Sequence, residues 1–224
     1  MNSAIIVAAG LGSRLGGLKK QFLEIGGKTV LRRSVEKFIQ IGICDIVIST
    51  RTEDIDFVER MFLGFKNTVR VVSGGKTRQQ SVKNAFDICD KDGVVLIHDA
   101  ARPFVETAHI VAVMRAAEEM GAAALGVFST ETVKYVENNL ITKTIDRKNV
   151  CLIQTPQAFS KEIYRQSLKI SAKDHTDDCQ LVEKAGYDIK IVEGSKNNIK
   201  ITTIDDLKYA EFLAEIETKN LKGE

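Results

Sequence analysis

Short apolar runs rich in β-branched residues alternate with stretches of helical period along most of this chain. Such runs occur at SAIIVA (3–8), CDIVIST (44–50), VRVVS (69–73), GVVLIHD (93–99), AALGVF (123–128) and YDIKIVEG (187–194). Their near-continuous apolar character predicts strands that are buried on both faces. Strands that alternate with helices form βαβ units, so the pattern predicts an α/β, Rossmann-like fold with a mostly parallel sheet flanked by helices.

Helices are predicted between these runs by periodicity and by capping residues. Leu31, Val35 and Phe38 share one face of the stretch 29–42. Thr77 and Gln80 have the spacing of a capping box at the start of the next helix. Further helix boundaries are predicted at Gly121, Ser160, Thr176, Gly186 and the Thr203/Asp206 pair.

Residues 129–152 break this alternation. TVKYVE and LITKTID alternate apolar and polar residues on either side of Asn138-Asn139, which predicts a β-hairpin. A two-stranded hairpin is marginally stable alone, so it is expected to pack against something else. The chain has no repeat, low-complexity tract or linker. It is therefore predicted to be a single domain, 1–224, with one β-arm inserted at 129–152.

Charge and hydropathy exclude two classes of partner. The formal net charge is only +2, which argues against a surface that coats nucleic acid. No segment approaches the roughly 20 apolar residues that a membrane-spanning helix needs, and the start MNSAIIVAAG lacks the basic region of a signal peptide. We therefore expect neither a nucleic-acid nor a membrane partner.

The cysteines and histidines indicate neither a metal site nor covalent catalysis. The four cysteines, Cys44, Cys89, Cys151 and Cys179, are scattered without C-x-x-C spacing. They are expected to be reduced core residues of a cytoplasmic protein. The three histidines have no metal-ligand spacing, and no Ser/His/Asp or Cys/His arrangement can be recognised.

A glycine-rich, basic loop follows the first predicted strand, in AIIVAAGLGSRLGGLKKQF (4–22). Backbone N–H groups freed by glycine, together with Arg14, Lys19 and Lys20, are suited to polyphosphate. The loop matches neither the Walker A pattern, because Leu18 follows Gly17, nor the dinucleotide fingerprint, because Leu15 replaces its third glycine. An ordinary turn with solvated lysines is the alternative interpretation. In a parallel sheet, ligands bind at the carboxyl edge where this loop lies.

Other candidate residues follow later strands. Gly75, Arg78 and Ser81 lie in SGGKTRQQS, where a plain turn and helix cap is the alternative. Asp99 ends an apolar strand and can meet a metal or sugar hydroxyls; a cap for the next segment, with Arg102 as its partner, is the alternative. Five cations on predicted loops or on the arm suit two phosphorylated substrates, although each alone could be a solvated surface charge: Arg14, Lys20, Lys134, Arg147 and Lys200. Together these residues favour phosphoryl or nucleotidyl transfer, in which positioning and charge neutralisation supply most of the catalysis.

Seven segments, taken in order, resemble the nucleotidyltransferase family of 2-C-methyl-D-erythritol 4-phosphate cytidylyltransferase. They are AAGLGSRLGG...KKQF, GGKTRQQSV, HDAARPF, TVK, DRKNVCLIQTPQAF, HTDD and VEGSKNNIKITTIDDL. These segments span nearly the whole chain. Each is weak alone, but their joint occurrence is specific.

The resemblance implies a GT-A-like fold and a reaction of isoprenoid biosynthesis. The substrates would be CTP and 2-C-methyl-D-erythritol 4-phosphate, the cofactor Mg²⁺, and the active form a homodimer clasped by the arm. The acceptor phosphate would attack the α-phosphorus of CTP and pyrophosphate would leave. The implied catalytic residues are Arg14, Lys20, Arg147 and Lys200. The implied nucleotide-binding residues are Ala8, Ala9, Gly10, Gly12, Gly75, Arg78 and Ser81. The implied acceptor-binding residues are Asp99, Arg102, Thr132 and Thr155, with Asp99 also the candidate metal ligand.

The chain departs from the family pattern at three positions. Lys19 replaces a usual proline, Glu131 a usual aspartate and Cys151 a common tryptophan. Ribitol 5-phosphate cytidylyltransferases are the alternative family, but they tend towards HDSVRP and lack the arm lysine, whereas this chain has HDAARP and Lys134. A non-catalytic nucleotide-binding module should have lost Arg14, Lys20 or Lys200, and all three are present.

Overall fold

A mixed β-sheet is the centre of the computed structural model, which describes residues 1–10, 17–170 and 175–222. Within these residues the sheet has seven strands, numbered by their place among all eleven strands: β1 (Ser3–Val7), β4 (Asp45–Thr50), β5 (Val69–Ser73), β6 (Val94–Asp99), β7 (Ala122–Phe128), β10 (Cys151–Ser160) and β11 (Lys190–Glu193). Their order across the sheet is β11-β7-β10-β6-β1-β4-β5. Each of the six predicted runs overlaps one of these strands, and these six strands run parallel, which confirms the predicted fold class.

The seventh strand, β10, lies antiparallel between β6 and β7. The sequence patterns do not predict it, because Pro156 and polar residues interrupt the apolar pattern of QTPQAF. The Thr155–Pro156 peptide is cis and lies where pairing with β7 shifts register, between Ile153 and Gln157.

Helices cover both faces of the sheet. Within the described residues they are α1 (Val30–Gln40), α2 (Ile55–Met61), α3 (Arg78–Phe86), α4 (Thr107–Met120), α5 (Lys161–Ile170), α6 (Asp178–Lys184) and α7 (Ile204–Lys222). Successive strand residues enter opposite cores: Ile6 packs with α1, α2 and α4, whereas Ile5 packs with α3, α5 and α6. This alternation confirms a sheet that is buried on both faces. No helix in the described ranges is long and apolar enough to cross a membrane.

Helix α7 packs on a third core rather than on the sheet. Ala210 and Leu213 of this helix share this core with Ile25 and Val30, at a short ribbon formed by β2 (Glu24–Ile25) and β3 (Lys28–Thr29). Arg33 of α1 lies beside this core and donates to the carbonyl of Ile25. The C-terminal helix is thereby attached to the segment that follows the glycine-rich loop.

The helix caps agree with the sequence except at two points. Thr77 accepts from the backbone N–H of Gln80, but the Gln80 side chain accepts from Lys76 rather than from Thr77. Thr203 and Asp206 form the reciprocal pair that was predicted. The prediction of Thr176 as the cap of α6 is wrong, because Asp177 accepts from Gln180 N–H at that helix start. An aspartate one residue further on competes successfully for the cap position.

The arm is the predicted hairpin. Strands β8 (Val133–Glu137) and β9 (Leu140–Ile145) pair only with each other among the described residues. Asn138 and Asn139 have φ of 49° and 62°, the left-handed values that a two-residue hairpin turn requires. At its base the arm continues from the paired ends of β7 and β10, where Phe128 lies opposite Cys151.

Candidate functional site

A pocket of about 260 Å³ opens at the carboxyl edge of the sheet, beyond β1 and β6 and beside the start of α3. Nine of the predicted site residues line it: Ala8, Ala9, Gly10, Lys20, Gly75, Arg78, Ser81, Asp99 and Lys200. Gly12 and Arg14 were also predicted to bind here, but they lie outside the described residues. The edge that the βαβ pattern assigned to ligands therefore holds most of the predicted nucleotide-binding residues.

Asp99 is the carboxylate at the centre of this pocket. Its Oδ2 lies 2.6 Å from Lys200 Nζ, and its Oδ1 accepts from Arg78 Nε at 3.3 Å. Burial alone would raise the pKa of Asp99, but the charges of Arg78 and Lys200 outweigh burial and hold that pKa well below its usual range. Asp99 is therefore ionised at neutral pH and orients two cations.

Arg78 connects the pocket to a buried carboxylate behind it. Its Nη1 lies 2.6 Å from Asp178 Oδ2, and Asp178 Oδ1 accepts from Tyr164 Oη at 2.7 Å. Burial alone would lower the pKa of Arg78, but Asp178 and Asp99 raise it further above its usual value. Arg78 is thus a permanent cation with a fixed orientation. Asp178 was not predicted as a site residue, although it belongs to the HTDD segment.

A hydrogen-bonded chain of side chains supports Asp99 from behind. The Thr155 hydroxyl accepts from Asp99 N–H at 3.0 Å and lies 3.1 Å from His98 Nδ1, while His98 Nε2 lies 3.0 Å from the Arg102 carbonyl. Burial lowers the pKa of His98 to about 4, so the ring is neutral at pH 7. Because a carbonyl can only accept, Nε2 carries the proton and Nδ1 accepts from Thr155.

Four predicted residues lie outside the lining of the pocket formed by the described residues: Arg102, Thr132, Arg147 and Thr155. The hydroxyl of Thr155 is fully engaged behind Asp99, and Arg102 donates from Nη1 to the Asn198 carbonyl at 2.7 Å. Arg147 lies at the base of the arm, where Nη1 donates to the Thr130 carbonyl, and Thr132 is exposed there. The pocket of one chain therefore lacks the two predicted contacts from the arm.

The second glycine loop shapes the pocket wall. Gly75 N–H donates to Ser81 Oγ at 3.0 Å, and that hydroxyl donates to the Thr77 carbonyl. The Gly75 amide and the Ser81 hydroxyl, which were predicted to bind the nucleotide, therefore form hydrogen bonds within the turn itself. A Cβ on Gly74 would lie 2.7 Å from Ala9 Cβ. Only glycine lets the two loops approach so closely.

Cations outnumber carboxylates in this pocket. Lys20, Lys76, Arg78 and Lys200 line it, with Asp99 as the one acidic residue in the lining that the described residues provide. The described ranges contain no cluster of three or more His, Cys, Asp or Glu residues that could hold a metal on its own. The arrangement can therefore bind an oligophosphate and neutralise charge that develops on it.

This fold and this pocket define an α/β nucleotidyltransferase. The chain is similar to solved structures of that class. It matches 4-diphosphocytidyl-2C-methyl-D-erythritol synthase from Anaerococcus prevotii with a TM-score of 0.86 and 31% identity, covering 96% of each chain. It matches 2-C-methyl-D-erythritol 4-phosphate cytidylyltransferase from Thermus thermophilus with a TM-score of 0.79 and 29% identity, over 96% of this chain and 100% of that one.

The IspD family model, described as 2-C-methyl-D-erythritol 4-phosphate cytidylyltransferase, matches residues 2–215. A relative with this name from Caldanaerobacter subterraneus subsp. tengcongensis is 40% identical, over 94% of this chain and 97% of its own length. Another, from Acidobacterium capsulatum, is 38% identical over 93% and 95%. The chain belongs to the 2-C-methyl-D-erythritol 4-phosphate cytidylyltransferase family and is a cytidylyltransferase, as the sequence motifs predicted.

Proposed function

We propose that the enzyme transfers CMP from CTP to 2-C-methyl-D-erythritol 4-phosphate, giving 4-(cytidine 5'-diphospho)-2-C-methyl-D-erythritol and pyrophosphate. Family membership over nearly the whole chain supports this reaction. The observation that carries it is Asp99, which holds Lys200 and Arg78 in a pocket of nucleotide-binding type. Such a pocket matches the charge of CTP.

In the proposed step, an oxygen of the acceptor phosphate attacks the α-phosphorus, and the bond to the pyrophosphate oxygen breaks. Lys20 and Lys200, which both line the pocket, would offset the negative charge that grows on the α-phosphate and the leaving group. Arg14 is proposed to act with them and lies outside the described residues. The protein supplies positions and charge rather than a nucleophile.

Mg²⁺ is the proposed cofactor. Asp99 is the one carboxylate among the described residues that line the pocket, and Mg²⁺ is commonly held by one or two carboxylates together with substrate phosphates and water. The residues present fit that mode of binding. When bound, the ion would neutralise triphosphate charge, while Asp99 would also keep Lys200 oriented.

The arm is proposed to join two copies into a homodimer. Tyr135, Val136, Leu140 and Ile141 are exposed along the hairpin, Leu140 and Ile141 by 69% and 68%. Exposed apolar residues that lie together mark interaction sites. A second copy would cover them and bring Arg147 and Thr132 to the neighbouring pocket.

The proposal includes the cellular compartment in which the enzyme acts. The four cysteines are free thiols. Cys89 and Cys179 are buried as predicted, whereas the prediction of a core position is wrong for Cys44, which is exposed, and for Cys151, which is half-buried. Free thiols persist in reducing compartments, which supports the proposal that the enzyme acts in the cytoplasm.

Pyrophosphate release tests the substrate assignment. The enzyme would be assayed with CTP, UTP or ATP, each paired with 2-C-methyl-D-erythritol 4-phosphate or ribitol 5-phosphate. We expect the highest kcat/KM for CTP with the methylerythritol acceptor, because backbone groups of the glycine loops can distinguish the donors and acceptors of the cytosine edge. Equal kcat/KM for UTP would contradict the nucleotide assignment. A preference for ribitol 5-phosphate would replace the proposed acceptor.

A further inference from the structure

Lys19 and Asp54 form an ion pair that joins the end of the glycine-rich loop to the sheet edge. Lys19 Nζ lies 2.5 Å from Asp54 Oδ1, although the residues are 35 positions apart. The Asp54 side chain is 8% exposed, and that of Lys19 is 41% exposed. Lys19 directly precedes Lys20 in the chain, and Lys20 lines the pocket. The ion pair therefore holds the backbone next to a pocket residue.

Asp54 makes no hydrogen bond to the helix that it precedes. It is the last residue of a 3-10 helix, Thr52–Asp54, that runs directly into α2, and its side chain makes no capping bond. Its Oδ2 is buried with no hydrogen-bond partner within the described ranges. A buried carboxylate with one oxygen unpaired costs free energy. Lys19 provides the compensating charge, so the carboxylate is directed at the loop rather than at its own helix.

The same two segments meet again three residues later. The rings of Phe22 and Phe57 pack edge to face with centroids 5.0 Å apart. A 3-10 helix, Lys20–Phe22, is thus held at its start by Lys19 and at its end by Phe22. The segment that carries Asp54 and Phe57 is also held to the sheet, because Thr52 Oγ1 lies 2.6 Å from Ser73 Oγ at the end of β5.

We infer that Lys19 and Asp54 are a positioning pair that fixes Lys20 for cytidylyl transfer. The inference rests on the proposed role of Lys20 in that reaction. Neither residue of the pair needs to touch a substrate. Because catalysis by a cation depends on its position, the pair contributes to kcat through Lys20. A displacement of about 1 Å at a catalytic group can cost on the order of 100-fold in rate.

The first test compares kcat and the KM for CTP among single variants. Lys19→Met and Asp54→Asn should each lower kcat by about tenfold or more and change KM much less, whereas Lys19→Arg should retain most activity. Lys28→Met is the matched control: Lys28 is 50% exposed, its Nζ lies 2.6 Å from Glu36, and it does not line the pocket. Its kcat should equal that of the wild type.

Melting temperatures establish that each variant is folded at the assay temperature. A folded Lys19→Met or Asp54→Asn protein with wild-type kcat would overturn the inference. A loss in the Lys28→Met control equal to that in Lys19→Met would also overturn it, because the effect would then be a general one of lost ion pairs.

The second test measures coupling. Once Lys20→Ala has removed the cation, adding Lys19→Met should lower kcat no further, because there is nothing left to position. Losses that multiply would show that Lys19 acts independently of Lys20 and would overturn the inference. Full activity in Lys20→Ala alone would refute both the proposed role of Lys20 and the pair that depends on it. An impaired Lys20→Ala with an unimpaired Lys19→Met refutes only the pair.

Discussion

At the scale of single residues, the site is organised by opposite charges in contact. Asp99 holds Lys200 on one oxygen and Arg78 on the other, and Asp178 holds the far side of Arg78. Each carboxylate thus fixes the direction of a cation before any phosphate arrives. Preorganised charge of this kind needs no rearrangement during the reaction, which is the condition for strong electrostatic catalysis.

Lys20→Ala should lower kcat far more than it raises the KM for CTP. Charge at the α-phosphate develops only on the way to the transition state, so the lost interaction appears there, at ~2.7–4 kcal/mol by analogy with an oxyanion donor. The same result is expected for Arg14→Ala. Steady-state kinetics would check this, with Lys83→Ala as the control. Lys83 lies on α3, is exposed and forms an ion pair with Asp87. Wild-type turnover in both variants at saturating substrates would refute their catalytic roles.

His98 should make the protein less stable in mild acid. Its pKa is about 4 in the folded protein and 6.5 in the unfolded chain, so the unfolded chain binds more protons between these values. The contribution of neutral His98 to the free energy of unfolding is complete above pH 6.5 and is lost as the pH falls towards 4. The total loss is about 3 kcal/mol.

Urea denaturation at pH 7, 6, 5 and 4.5 would measure this loss, which begins above the range where carboxylates titrate. His98→Gln should flatten the dependence between pH 6.5 and 5, whatever its effect at pH 7. An unchanged slope in that variant would assign the dependence to other groups.

Among individual residues, the sequence predicted those that carry a chemical signature. Asp99 ends an apolar strand, and Lys20 ends a glycine-rich loop, so both could be placed at the carboxyl edge of the sheet. Asp178 and His98 could not be assigned roles in this way, because their partners Arg78, Tyr164 and Thr155 are distant in sequence. A contact between distant residues depends on the folded packing, which periodicity does not describe.

At the scale of secondary-structure elements, β10 is the strand of the seven-stranded sheet that the periodic patterns did not reveal; the two-residue strands β2 and β3 were not predicted either. Its polar residues are satisfied by other elements rather than by solvent: Gln157 accepts from the N–H groups of Asp178 and Cys179, and Gln154 donates to the Ser195 carbonyl. Polar side chains therefore occupy buried strand positions. Helix α2 was also missed, because this short helix buries Val58 alone and has no apolar stripe.

Lys161 should stabilise the opposite end of the sheet from the pocket. This fully buried lysine begins α5 and donates to the carbonyls of Met1 and Asp92 and to Ser3 Oγ, at 2.7 to 3.0 Å. Lys161→Met would remove three hydrogen bonds made by a buried charged group, so the free energy of unfolding should fall by about 2–4 kcal/mol.

Because Lys161 lies at the amino-terminal edge of β1, kcat should not change. Denaturation in urea and initial rates, both measured on one preparation, would check the two parts. A variant that keeps its stability and loses turnover would show that Lys161 has a different role.

At the scale of the whole molecule, the proposed dimer would make the active site composite. Lys20 and Lys200 line the pocket of their own chain, whereas Arg147 sits at the arm base outside that lining. In a symmetric dimer each arm would reach the neighbouring pocket. Whether the arm of one copy extends to the pocket of another depends on how the two copies assemble. A single sequence could therefore suggest this contact only through the predicted hairpin and its exposed apolar residues.

Mixing two inactive proteins tests this arrangement. Lys20→Ala and Arg147→Ala subunits that exchange should form a mixed dimer with one doubly altered site and one intact site. Random equal mixing would restore ~25% of wild-type activity per site. Exchange would be confirmed by native mass spectrometry. Activity that stays at the level of the parent variants after exchange would place Arg147 in the pocket of its own chain.

The way the arm is joined to the sheet also bears on how such a protein can evolve. The hairpin continues from β7 and β10, which are paired from Phe128 and Cys151 inward. Adding or deleting matched residue pairs in the hairpin would lengthen or shorten the arm and leave that register intact. The surface that is proposed to recognise a second copy could therefore diverge by insertion and deletion, while the residues around Asp99 would remain under separate selection for chemistry.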